Sequence, residues 1–402
     1  MKWSILVLIY MMAKNKLTPP KTIAVYIHWP FCLSLCPYCD FNSHVKQNIN
    51  HRDWEKALLS ELEHYSKIIG TRKVTSIFFG GGTPSLMEAD TVAKIIEAIE
   101  KHFSLAKNVE ITLEANPTSS ESKNLSAFSK AGINRVSLGV QALNDESLIL
   151  LGRKHNTEEA KKVIKIASDN FERFSFDLIY ARPKQTKIMW EKELTEATKL
   201  ARGHLSVYQL IIEPGTPFYL SQARGLITLP NESLAVALFQ MTQEILDSAN
   251  LPAYEVSNHA ADGEHCKQNM TYWHYGDYLG IGPGAHGRIT LDGNIYATRQ
   301  HRAPEMWLKR TRMAGHATQT FVPLDEEEII NEIILMGLRT KTGIDASNFY
   351  LRTGKDLNEA INDQAINRLK QGNFITSDQK GIRTTMTGLL RLDSIIKELA
   401  PF

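Results

Sequence analysis

Cysteine is scarce in this chain of 402 residues, with four in all, yet three of them, Cys32, Cys36 and Cys39, fall within eight residues. Thiolates are the usual ligands of iron–sulfur clusters, and a C-x3-C-x2-C spacing lets one short loop wrap three corners of a cubane. Three ligands leave one iron open, and a small molecule carrying an amine and a carboxylate could fill that corner. A structural zinc ion would want a fourth protein ligand within a few residues. His28 and His44 could supply it, so zinc is the competing reading, and three unrelated buried cysteines are the bland one.

A second group of residues follows downstream. The stretch 77–84 reads Ile-Phe-Phe-Gly-Gly-Gly-Thr-Pro, a strand running into a glycine turn where missing Cβ atoms let the backbone approach a ligand closely. Tight packing explains such a turn equally well. Glu114, Gln141 and Arg153 fall at the ends of apolar runs or just beyond them, and Asp177 sits inside a run rich in Phe, Leu and Ile. A charge there needs a partner to offset desolvation, and Arg153 is the expected one.

Loops must hold these groups, and the pattern around them says how. Short β-branched or apolar runs at 23–27, 74–79, 110–114, 135–139, 174–180 and 205–209 alternate with helical periodicity at 54–69, 91–103, 122–131, 158–169 and 190–200. That alternation predicts an α/β fold with a parallel sheet. Six units are too few for a closed eight-stranded barrel, so the expectation is an open, partial (β/α)6 barrel with its functional groups on loops at the C-terminal strand ends. A further helix at 232–250 and a strand at 253–257 follow. The stretch 259–287, rich in Gly, His, Tyr and Trp, is the least regular part of the chain. From Leu324 onward, helices at 326–338, 346–352 and 357–371, two short strands near Phe374 and Ile382 joined by a turn at 377–381, and a last helix suggest a winged-helix-like module. The expected divisions are an N-terminal tail over 1–20, the barrel over 21–250, a family-specific Gly/His/aromatic segment forming a small β/α extension over 251–320, and the C-terminal domain over 321–402.

Bulk composition excludes more than it names. Lys plus Arg exceed Asp plus Glu by two, 46 against 44, so no field of one sign covers the molecule. Residues 321–402 carry 10 Lys plus Arg against 12 Asp plus Glu, which argues against DNA binding by the winged module. Clustered thiols in a chain this long read as metal ligands in a reducing compartment rather than as a disulfide framework, so a cytoplasmic location is expected. The apolar run 4–13 is too short to span a bilayer. Translation from Met12 is the expected start, with a peripheral membrane anchor as the other reading.

The cysteine loop, with the preceding Tyr26-Ile27-His28-Trp29-Pro30-Phe31, resembles the cluster motif of radical S-adenosylmethionine (SAM) proteins. Its flanks are similar to those of the oxygen-independent coproporphyrinogen III oxidase family, and nearest to that family's haem chaperone branch, from Val25 through the C-terminal module. The resemblance implies a [4Fe-4S] cluster on Cys32, Cys36 and Cys39, whose reduced form cleaves bound SAM by one electron. It implies SAM contacts from the Gly81-Gly82-Thr83 segment, Glu114, Gln141, Arg153, Asp177, Tyr26 and Tyr38, and it assigns no catalytic residue. Phe41 stands where the oxidases carry one more cysteine, and only 25 residues precede Tyr26, leaving little room for the arm that covers the oxidase site. Both departures favour a chaperone that binds haem and passes it to haem-accepting proteins over a coproporphyrinogen III dehydrogenase. Homodimerisation and peripheral membrane association stay open, and no nucleic-acid partner is expected.

Two further departures stand out. Residues 181–183 read Ala-Arg-Pro where the family usually shows Gly-Leu before Pro. The chaperone branch carries a His-Asn-x-x-Tyr-Trp motif bearing on haem binding, and here Gln268 takes the histidine's place before Asn269, Tyr272 and Trp273. His259, His265, His274 and Cys266 are the nearby groups that could ligate iron instead. Alternatively, Gln268 is an ordinary hydrogen-bonding residue and the ligand lies elsewhere.

Overall fold

The computed structural model describes residue 17 and residues 19–400, so the readings of 1–16 and of an upstream start lie outside the described residues. Six strands alternate with helices as the periodicity requires: β1 (Thr22–Trp29), α1 (His51–Ile69), β2 (Lys73–Gly81), α2 (Ala89–His102), β3 (Ser104–Ala115), α3 (Leu125–Lys130), β4 (Arg135–Gln141), α4 (Thr157–Asn170), β5 (Arg173–Tyr180), α5 (Lys187–Leu200) and β6 (His204–Gln209). Consecutive strands pair in parallel in the order β1-β2-β3-β4-β5-β6. Side chains fully buried along them, Val25, Ile27, Ile77, Phe79, Leu113, Val136, Leu138 and Phe176 among them, form one core with the helix faces, and that burial drives the alternation.

After α6 (Glu232–Ser248) the chain departs from the expectation. The strand expected at 253–257 is β7 (Asn258–Ala260), which closes antiparallel on β6. The stretch read as irregular holds a helix, α7 (Lys267–Trp273), and a strand, β8 (Tyr278–Ile281), that joins the free edge of β1 in parallel. An antiparallel meander continues outward through β9 (His286–Leu291) and β10 (Asn294–Gln300); then, after α8 (Pro304–Ala314), through β11 (Thr318–Pro323). The extension is therefore part of one 11-stranded sheet, ordered β11-β10-β9-β8-β1-β2-β3-β4-β5-β6-β7 and open at both ends. Periodicity could not reveal this because the joining strand is four residues long and half of it is Gly280 and Ile281, set among turn-forming glycines.

The C-terminal module contains α9 (Glu326–Gly337), α10 (Ala346–Thr353), α11 (Asp363–Gln371), the hairpin β12 (Ile375–Asp378) and β13 (Gly381–Thr384), and α12 (Leu392–Leu399), with the short strand Ile344–Asp345 pairing onto β13. A capping box between Asp325 and Glu328 starts α9. The helix expected over 357–371 breaks at Ile361, and Asn362 caps the second part by accepting from the Gln364 N–H. The module has its own core, built from Ile330, Ile334, Leu338, Phe349 and Ile382, which also takes in Tyr275 and Ile295 of the extension.

Candidate functional site

The cysteine loop leaves β1 at its C-terminal end. Phe31 and Cys32 pair in parallel with His44 and Val45, and the His44 N–H donates to the Pro30 carbonyl at 2.7 Å, so the loop is pinched at its base. Below that ladder, Phe31 meets Trp54 edge-on at 4.9 Å, and Trp54 stacks on Trp307 at 5.2 Å. This aromatic packing gives the loop a rigid floor. The tip is tied on both sides, since Asn42 Nδ2 donates to the carbonyls of Pro283 (2.9 Å) and Arg302 (3.0 Å), while the Phe218 N–H donates to the Pro37 carbonyl at 2.9 Å.

Cys32, Cys36 and Cys39 are all part-buried and line one cavity of about 360 Å³. Each sulfur has a polar neighbour: Thr83 Oγ1 donates to Cys32 Sγ at 3.2 Å, Arg153 Nη1 donates to Cys36 Sγ at 3.2 Å, and Ser43 Oγ lies 3.9 Å from Cys39 Sγ. Burial raises the Cys32 and Cys39 thiols above their ordinary range, an effect that the Thr83 hydroxyl opposes at Cys32 and the Phe41 N–H and Ser43 hydroxyl oppose at Cys39. Among the described residues, no three His, Cys, Asp or Glu side chains converge on a single-ion site. His28 is committed elsewhere, with Nε2 on the Asn42 carbonyl at 2.9 Å and Nδ1 on the Tyr26 hydroxyl at 3.1 Å, and His44 Nε2 lies 3.2 Å from Asn42 Oδ1. The proposed fourth zinc ligands are thus turned away from the cysteines. A spread set of three sulfurs with donors behind them suits a cubane rather than one zinc ion.

The same cavity is lined by Tyr38, Gly81, Gly82, Thr83, Glu114, Gln141, Arg153 and Asp177. Gly81 has φ +110°, and a Cβ there would lie 2.5 Å from the His28 ring; one on Gly82 would lie 2.8 Å from the Phe31 carbonyl oxygen. Only glycine lets this turn press against the cysteine loop, where the Gly82 and Thr83 N–H groups donate to the Trp29 and Phe31 carbonyls at 2.7 and 2.8 Å. Glu114 Oε2 accepts from the Gly81 N–H at 3.2 Å. Burial, reinforced by the charge of Asp177, lifts the Glu114 carboxyl to about 8, and burial lifts Asp177 to about 6. Two raised carboxyls, neither in a salt bridge among the described residues, suit this wall to an ammonium or sulfonium group. Arg153 reaches Cys36 Sγ, the Asn116 side-chain oxygen and the Gly139 carbonyl at 2.7 Å, and its buried Nε has no partner among the described residues. The donors and acceptors therefore fit a cluster with an amino-acid sulfonium beside it.

One expectation is corrected. Arg153 makes no salt bridge to Asp177 among the described residues; Asp177 accepts from the Ser137 hydroxyl at 3.5 Å, and the guanidinium is held by backbone and sulfur. Tyr26 lines an adjoining cavity of about 490 Å³, which meets the first at Phe41, Gly81 and Glu114.

Among the candidate iron ligands, Gln268 is buried and fully used, accepting from the Ser76 hydroxyl at 2.7 Å and donating to the Tyr272 hydroxyl at 2.8 Å. Cys266 is buried against Glu110 with its thiol pushed up to about 12, so it is no ready thiolate. His259 is buried, and His265 stacks on Tyr254 at 4.4 Å. Neither these nor His274 line the second cavity, whereas His286 does. Sequence reasoning passed over His286 as the end of a glycine-rich loop; its place at the start of β9, two residues from Arg288, was the available signal.

Comparison with known proteins agrees with this geometry. Residues 26–197 match the Radical SAM superfamily and residues 324–391 the HemN C-terminal domain. The mitochondrial radical S-adenosyl methionine domain-containing protein 1 of Bos taurus is 37% identical over 385 residues, covering 94% of this chain and 87% of that protein. Heme chaperone HemW of Escherichia coli is 34% identical over 382 residues, covering 94% and 98%. The solved structure of the E. coli coproporphyrinogen III oxidase HemN, itself described as a radical SAM enzyme, superposes with a TM-score of 0.79 at 22% identity, covering 97% of this chain and 92% of its own, which shows a shared fold. On identity sustained over nearly the whole length, the chain belongs to the radical SAM superfamily, in the family of heme chaperone HemW and radical S-adenosyl methionine domain-containing protein 1.

Proposed function

We propose that this protein is a haem chaperone: Cys32, Cys36 and Cys39 hold a [4Fe-4S] cluster, the cavity beside them takes SAM, and the protein binds haem for delivery to haem-requiring partners. The observation that carries the reading is the convergence of three thiols, the Gly81–Thr83 turn and two raised carboxyls on one cavity. When bound, the reduced cluster supplies one electron to the SAM sulfonium, cleaving a carbon–sulfur bond. The protein's share is placement. Glu114 and Asp177 receive the amine side of the ligand and Arg153 the carboxylate side, while Tyr38, Gln141 and Thr83 close the walls. The donors at Cys32 and Cys36 stabilise sulfur charge and so tune the cluster's potential.

The chaperone is favoured over a coproporphyrinogen III dehydrogenase because Phe41 replaces the extra cysteine; its ring is 63% exposed and borders both cavities. The clustered free thiols suit a reducing compartment, and we place the protein in the cytoplasm. Among the described residues, no helix is long and apolar enough to cross a membrane.

Anaerobic reconstitution tests the assignment. The expected outcome is a cluster whose iron and sulfide content is lost in a Cys32/Cys36/Cys39→Ala triple variant, an EPR signal that shifts on adding SAM, stoichiometric haem binding, and no decarboxylation of coproporphyrinogen by the same sample. Decarboxylation would establish the dehydrogenase, and an EPR signal indifferent to SAM would remove the SAM site.

A further inference from the structure

We propose that the cavity of about 490 Å³ beside the cluster site is the haem seat, with His286 as the axial iron ligand and Arg299 as the partner of a haem propionate. This rests on the haem chaperone reading above and assigns the residues that perform it.

The cavity has the chemistry a porphyrin needs. Tyr26, Tyr272, Trp273, Tyr275 and Tyr278 supply aromatic faces and edges, and Met336 of α9 adds an apolar patch from the C-terminal module. Flat π-surfaces of this kind bury a macrocycle at little entropic cost. Backbone of the glycine turn, at Gly284 and Ala285, lines the cavity next to His286.

Iron needs a lone pair at the edge of that space. Of the two histidines lining the cavity, His28 has both ring nitrogens engaged, whereas His286 is exposed and makes no hydrogen bond to the protein among the described residues. Cations stand beside it for the acidic rim of the ligand. Arg299 lies directly opposite His286 in the β9–β10 ladder, so the two side chains share a face, and it has no ion pair among the described residues. Arg288, on that face too, is already neutralised by Glu332 at 2.9 Å, which leaves Arg299 as the free charge.

The test is titration of the full-length protein with hemin, followed by the Soret band and ferric EPR. Wild type binds one hemin with the high-spin ferric spectrum of a single imidazole ligand. His286→Ala loses that spectrum and binds at least ten-fold more weakly, and added imidazole restores it. His265→Ala and His274→Ala behave as wild type. Arg299→Gln weakens hemin about ten-fold but leaves hemin dimethyl ester, whose propionates carry no charge, bound as by wild type. Cluster content and circular dichroism at wild-type levels certify that the variants fold. If His286→Ala keeps the wild-type spectrum and affinity, or if Arg299→Gln weakens acid and ester equally, the corresponding assignment is overturned while the chaperone reading stands. If wild type binds no hemin, the chaperone reading falls and this one with it.

Discussion

Glu114 stands where two demands meet. It lies at the end of β3 with no salt bridge among the described residues, and in the proposed SAM site it must present charge to a ligand. Its carboxyl, raised from 4.5 to about 8, resolves the first by holding a proton. Between those two values the folded ligand-free chain binds one proton that the unfolded chain lacks, so this group makes stability fall as pH rises through that window. Glu114→Gln should flatten the urea midpoint against pH between about 5 and 8 by one proton's worth of slope, leaving the lesser contributions of Asp177 and Glu61. A cation arriving beside Glu114 should expel the proton. Calorimetry of SAM binding at pH 7 in buffers of different ionisation enthalpy should register proton release in wild type and less in the Gln variant.

Ala181 is a second telling residue. It has φ +56°, in the left-handed region where the family usually carries glycine, while its neighbour Arg182 is buried and paired with Glu193. The departure noticed in the sequence therefore leaves an L-residue strained within the turn. Ala181→Gly should raise stability by about 1 kcal/mol in urea unfolding.

At the scale of elements, α1 does more than cover the sheet. Its Glu61 is fully buried and accepts from the Gly282 N–H (2.9 Å), the Ala317 N–H (2.8 Å) and the Trp307 indole (3.0 Å). One carboxylate thus ties the first helix to the extension and to α8. Glu61→Ala strands three buried donors and should cost about 3 kcal/mol or more, visible as a shifted denaturation midpoint, with Glu61→Gln losing less. Nothing in the sequence marks Glu61, because a lone acid on an amphipathic helix reads as solvent-facing. The six βα units were legible since each strand is a run of buried β-branched or aromatic residues and each helix repeats at three and four. The cysteine loop was legible because its ligands are close in sequence, so that their spacing narrows the chemistry and their flanks carry the family resemblance. The β8–β11 meander was not, since its register is set by contacts with β1 and by tertiary bonds such as Asn42 to Pro283, more than two hundred residues apart. The second cavity was hidden for the same reason, as its walls come from β1, α7, β8 and α9 and meet only in space.

For the whole molecule, Asp277 is the junction. Its fully buried carboxylate takes Arg72 at 2.6 Å and Arg352 at 2.9 Å, and accepts from the Thr290 N–H at 2.6 Å and hydroxyl at 2.8 Å. Arg72 precedes β2, Asp277 precedes β8 and Arg352 lies in α10, so one ion triad joins barrel, extension and C-terminal module. Asp277→Ala would leave two buried guanidiniums uncompensated, at about 3–5 kcal/mol. Limited proteolysis should then release fragments cut near residue 324, which wild type resists.

Phe41, Gly81 and Glu114 form a party wall between the two cavities. On the proposed occupancies, a ligand that reorients Phe41 or changes the protonation of Glu114 would alter its neighbour's affinity, and by the same factor in both directions. Cofactor occupancy would then set how firmly cargo is held.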